Sequence, residues 1–141
     1  MAREELLRNV AFLRSLDPHD IDALARQLDE VRLKAGEVIL HEGEADSTSL
    51  FIIVEGDIEI THGHGRGLVE LALLHPGQYF GEMSLLDGAP RSATATARTA
   101  AVLLRLGRQD FLAYLKKDPE AAVLLLTELG GRLRHTNELV A

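Results

Sequence analysis

The chain has 141 residues, 46% hydrophobic and 26% charged, enough for one domain with a real core and unlike a disordered tail. With no cysteine, a disulfide framework and a thiolate zinc site are excluded. A net charge of −7 argues against general nucleic-acid binding: residues 1–90 carry 7 Lys/Arg against 17 Asp/Glu, residues 91–141 carry 8 against 5, and so small an excess spread over helices reads as a solvated face.

In chain order, the polar start Met1-Ala2-Arg3-Glu4-Glu5 lacks the apolar core of a signal peptide. Leu6, Leu7, Val10, Leu13 and Leu16 predict a helix over residues 2–16. Asp17-Pro18 then predicts a capped second helix, with Ile21, Leu24, Ala25 and Leu28 on one face. Short strands between glycines follow: 31–33, 38–40, 49–55, 57–62, 68–74, 93–97 and 101–106. Gly36, Gly43, Gly56 and Gly77 mark turns at fairly even intervals, and residues 62–67 read as a hairpin tip. Helix returns over 108–117, and Asp118-Pro119 opens a last one. Gly130-Gly131 weakens that helix by about 1 kcal/mol per glycine and predicts a bend or a close-packing point. The longest notable apolar run, Ala121 to Leu126, is far too short for a membrane span.

The expectation is therefore an α+β domain: an antiparallel β-jelly roll with a short internal helix, flanked by N- and C-terminal helices. It spans 1–141 as a single unit, with helices over 1–29, the jelly roll over 30–106 and lid helices over 107–141.

The most informative stretch is GQYFGEMSLLDGAPRSATATA, residues 77–97. Gly81 permits close approach to its backbone. A helix starting at Glu82 would direct free N–H groups at an anion. Arg91 offers a planar fork that matches phosphate oxygens, Ser92 a hydroxyl, and Glu82 an acceptor for a sugar hydroxyl. Together these suit one small phosphorylated sugar.

Phe80-Gly81-Glu82-Met83-Ser84-Leu85-Leu86 followed by Pro90-Arg91-Ser92-Ala93-Thr94 resembles the phosphate-binding cassette of cyclic-nucleotide-binding domains, and the element order from about Val10 to Asn137 agrees. That family includes bacterial cAMP receptor proteins, kinase regulatory subunits and channel gating domains. The resemblance implies that Arg91 pairs with the cyclic phosphate, that Ser92 and Ala93 stand beside it, and that amides of Gly81, Glu82, Met83 and Ser84 complete the cradle. It gives Glu82 the ribose 2′-hydroxyl, and Ile60, Ala72 and Leu74 an apolar base pocket. Arg132 resembles a lid arginine, and Thr136 and Asn137 resemble the polar pair that contacts adenine. The implied ligand is cAMP in preference to cGMP, because serine at 92 leans that way and Thr136 supports it. No metal or cofactor is implied, and no catalysis; the implied place is the cytoplasm. Only four residues follow Asn137, so an effector domain or partner is expected elsewhere, and a fragment of a transcription factor without its DNA-binding domain is one version of that. The leucines of the last helix leave a homodimer open.

A rival reading rests on His62, His64 and Glu70, which come close to the first metal motif of cupins and would make the chain an enzyme. Against it stand the long spacing from His64 to Glu70 and the absence of any histidine between His75 and His135, where a second motif would fall.

Overall fold

The computed structural model describes residues 3–8, 10, 13, 16–44, 49–81 and 90–140, with backbone alone at 3, 4, 129 and 131–140. Among the described residues two four-stranded antiparallel sheets face each other. The strands are β1 (Asp29–Leu33), β2 (Val38–Leu40), β3 (Ser49–Glu55), β4 (Ile58–His62), β5 (Val69–Leu74), β6 (Tyr79–Phe80), β7 (Thr94–Ala97) and β8 (Ala101–Gly107). One sheet has the order β1-β8-β3-β6 and the other β2-β7-β4-β5. The helices are α1 (Arg3–Arg8), α2 (Pro18–Gln27), α3 (Arg108–Lys117) and α4 (Pro119–Val140). This is the antiparallel jelly roll with terminal helices that the pattern predicts.

The first sheet is covered on both faces, and its central strands show why. In Ser49-Leu50-Phe51-Ile52-Ile53 apolar residues occupy both parities, as a strand buried on two sides requires. Leu50 and Ile52 join Leu104 and Leu106 of β8 in a core shared with the helices, where Ile21, Leu24, Phe111, Ala121 and Leu125 pack. Phe51 and Ile53 point the other way, with Leu103, Phe80, Ala95 and Ala97, into the core between the sheets. The second sheet has a single covered face. On β7, Ala95 and Ala97 are buried while Thr94 and Thr96 are half-buried.

α2 starts as its sequence dictates. Asp17 is the N-cap, its carboxylate accepting from the Asp20 amide at 2.8 Å, with Pro18 in the first turn. α1 is shorter than the predicted 2–16. Beyond Arg8 the amides of Val10, Leu13 and Leu16 each donate to the carbonyl three residues back, at 3.0–3.1 Å. Leu7, Val10, Leu13 and Leu16 are spaced by three, and i→i−3 bonding stacks that spacing on one side, where an α-helix would spread it.

Two further expectations change. β6 was not among the predicted strands; at two residues it is too short to show an alternation, and its pairing with Phe51 and Ile52 defines it. α4 runs helically through Gly130 and Gly131. A Cβ on Gly130 would meet nothing within 4 Å, so close packing does not explain that glycine. Among the described residues no helix is long and apolar enough to cross a membrane.

Gly130→Ala should therefore raise stability by about 0.5–1 kcal/mol, read as a higher urea midpoint at unchanged slope.

Candidate anion-binding site

Arg91 follows the segment 82–89, which lies outside the described residues together with the predicted contributors Glu82, Met83 and Ser84. Its backbone is held on both sides by the turn after β2. The Arg91 amide donates to the Glu44 carbonyl and the Gly43 amide donates to the Arg91 carbonyl, each at 2.8 Å. The side chain turns inward and is only 5% exposed. Nη2 donates to the Ser49 carbonyl at 2.9 Å, and Nη1 donates to the Gly81 carbonyl at 3.1 Å.

Gly81 directly follows β6 with φ +92°, a backbone conformation that L side chains rarely adopt. A Cβ at this position would lie 2.8 Å from Arg91 Nη1 and 3.1 Å from the Ser49 carbonyl oxygen. The glycine thus serves two needs, the turn out of β6 and the space in which the guanidinium lies.

Register brings the apolar candidates together. Ile60 pairs with Ala72 across β4 and β5, and with Ala95 across β4 and β7. Leu74 pairs with Ile58, which puts Ile60, Ala72 and Leu74 on one face of the sheet. Ile60 and Leu74 pack against the inter-sheet core and remain half-buried, as does Ala72. Ser92 is exposed and Ala93 half-buried. Arg132, Thr136 and Asn137 fall on α4, in the part described by its backbone alone.

Several contacts at this edge carry no sequence signal. Glu42 Oε1 accepts from the Gly63 amide at 3.0 Å and lies 2.9 Å from His62 Nδ1, while the Glu42 amide donates to Thr94 Oγ1 at 3.0 Å. His62 Nδ1 is also 3.3 Å from the Ser92 carbonyl oxygen. Glu42 thereby ties the turn after β2 to the end of β4 through its carboxylate and to the start of β7 through its amide. Ser49 contributes a main-chain oxygen, which any residue would supply.

The metal reading needs His62, His64 and Glu70 around one point. His62 is engaged with Glu42, and Glu70 Oε1 lies 3.7 Å from Arg98 Nη2. Among the described residues no three His, Asp or Glu side chains are grouped to hold a metal ion.

A jelly roll with helices over one sheet and an inward-turned arginine at its edge defines a ligand-binding class of domain, and comparison with known proteins makes the class specific. The family model described as "Cyclic nucleotide-binding domain" matches residues 30–118, and the chain belongs to that family. It is 31% identical over 139 residues to the CRP-like cAMP-activated global transcriptional regulator of Mycobacterium tuberculosis, covering 98% of this chain and 62% of that protein. Against the cAMP-dependent protein kinase regulatory subunit of Dictyostelium discoideum it is 37% identical over 113 residues, covering 77% of this chain and 34% of that one. The crystal structure of the Thermus thermophilus catabolite activator protein superposes with a TM-score of 0.82 at 33% identity, over 92% of this chain and 61% of the other. The chain thus spans about three fifths of these transcriptional regulators and about a third of the kinase subunit.

Replacing Gly81 by alanine should cost about 1–3 kcal/mol through backbone strain alone, and should also displace the guanidinium. Denaturant unfolding gives the first effect, and a ligand affinity lowered beyond what that stability loss explains gives the second.

Proposed function

We propose that this domain is a regulatory sensor of a cyclic nucleotide, cAMP in preference to cGMP, and that α4 reports occupancy. The observation that carries the reading is the inward, buried guanidinium of Arg91 beside Gly81. Ser49 and Gly81 orient that group through carbonyl dipoles. A cyclic phosphodiester brings a full negative charge to it, and such a charge-assisted, planar pairing is what arginine provides best. The Ser92 hydroxyl and amides of Gly81, Glu82, Met83 and Ser84 add hydrogen bonds to the same phosphate, and Glu82 takes the ribose 2′-hydroxyl. Ile60, Ala72 and Leu74 receive the base on an apolar face, and Arg132, Thr136 and Asn137 on α4 close over it.

Binding acts by population shift. Phosphate draws the segment after Gly81 toward the barrel, resets the packing of Phe80, and biases α4 toward a closed position about a hinge at Gly107-Arg108 or Asp118-Pro119. The domain performs no catalysis in this reading and works in the cytoplasm. Its effector is a further segment or a partner protein, in keeping with relatives that are transcriptional regulators and kinase regulatory subunits longer than this chain.

Truncating one member of a buried charge pair costs about 2–5 kcal/mol, so Arg91→Ala should weaken cAMP binding by about two to three powers of ten. Calorimetric titration with cAMP and cGMP, after refolding to strip any nucleotide, measures this and the preference together. Unchanged affinity in the variant would refute the site, and tighter cGMP binding would reverse the preference.

Saturating cAMP should slow hydrogen exchange across residues 119–141. An exchange pattern indifferent to nucleotide would sink the role given to α4.

A further inference from the structure

β6 is two residues long, and its side chains serve opposite cores. Phe80 enters the inter-sheet core and stacks on Phe51, with centroids 5.4 Å apart and planes 19° from parallel. Tyr79, 3% exposed, enters the helix-covered core with Ala121 and Leu125 of α4. Its hydroxyl donates to the Glu128 carboxylate. Glu128 is three residues past Leu125 and seven past Ala121, on the same face of α4. The next residue after Phe80 is Gly81, whose carbonyl accepts from Arg91. A continuous path of three residues therefore joins a carboxylate on α4 to the guanidinium.

We propose that Tyr79 and Glu128 are a positioning pair for the site. The hydrogen bond anchors β6 to α4, and so holds the Gly81 carbonyl where it orients Arg91. Carboxylate-accepted hydrogen bonds are among the stronger ones, and this one joins two residues 49 apart in the chain. β6 is also the short edge strand of its sheet, paired on one side with β3 through Phe51 and Ile52. Main-chain bonds of Gly77 and Gln78 with Ile53, at 2.8 and 2.9 Å, fix the approach to β6, and the Tyr79–Glu128 bond adds its tie to α4. By linkage, whatever fixes α4 against Tyr79 also favours the oriented guanidinium, and the reverse holds equally.

The ligand arm of the test rests on the cyclic-nucleotide reading above; the exchange arm does not. In the full chain, Tyr79→Phe and Glu128→Ala should each lower cAMP affinity by about five- to tenfold, and the double variant should bind no more weakly than the weaker single. Glu128→Gln keeps an acceptor for the hydroxyl and should recover most of the affinity. Glu128→Ala, a change on α4, should quicken hydrogen exchange at residues 77–81. Additive losses, wild-type affinity in Tyr79→Phe, or unchanged exchange at 77–81 would each overturn the pairing. If the unmodified chain binds neither cAMP nor cGMP, the functional reading falls by itself. The exchange result then decides: faster exchange at 77–81 supports the pair, and unchanged exchange overturns it.

Discussion

The arginine held between two main-chain carbonyls is the interaction on which the rest of this edge of the barrel depends. Burying a guanidinium costs several kcal/mol unless its donors are met with good geometry. Here the acceptors come from places where the sheet hydrogen-bond ladder is ending: Ser49 opens β3 and Gly81 follows the last residue of β6. Carbonyls at strand ends can turn to a side chain in a way that those in mid-ladder cannot. The absence of a Cβ at Gly81 supplies the room.

The first sheet joins that edge to the helices. Because β3 and β8 are apolar at both parities, the sheet has the helices on one face and the barrel interior on the other. Side chains only one residue apart thus report to different partners: Phe51 and Phe80 to the interior, Ile52 and Tyr79 to the helices. The barrel interior and the helical layer are separated there by a single backbone thickness. The comparison with transcriptional regulators and kinase subunits fits such a layout, since in both groups the shared domain occupies only part of a longer protein.

Much of this was legible beforehand, for identifiable reasons. β2, β3 and α3 are bounded by turn residues or caps, and the structure places them where the pattern does. Gly81 and Arg91 stood out because a glycine before an acid and an arginine after a turn are uncommon together. What escaped detection was non-periodic or long-range. The two residues of β6 carry no alternation. Leu7, Val10, Leu13 and Leu16 satisfy a helical template loosely, and only backbone hydrogen bonds separate an α-helix from successive tighter turns. The Ser49 carbonyl belongs to the main chain, and its role leaves no trace in residue type. Glu42 reaches residues 21 and 52 positions away, and Tyr79 meets Glu128 across 49, so no local window contains both partners.

The division of labour between odd and even positions in β3 and β8 has an evolutionary corollary. The core between the sheets is set by Phe51, Ile53, Leu103 and their neighbours Ala95 and Ala97, whereas the helix-covered core is set by Leu50, Ile52, Leu104 and Leu106. A lineage could repack the first set while the second stayed unaltered. Divergence of either core needs no new architecture, only substitutions drawn from alternate letters of β3 and β8 and, for the inner core, of β7.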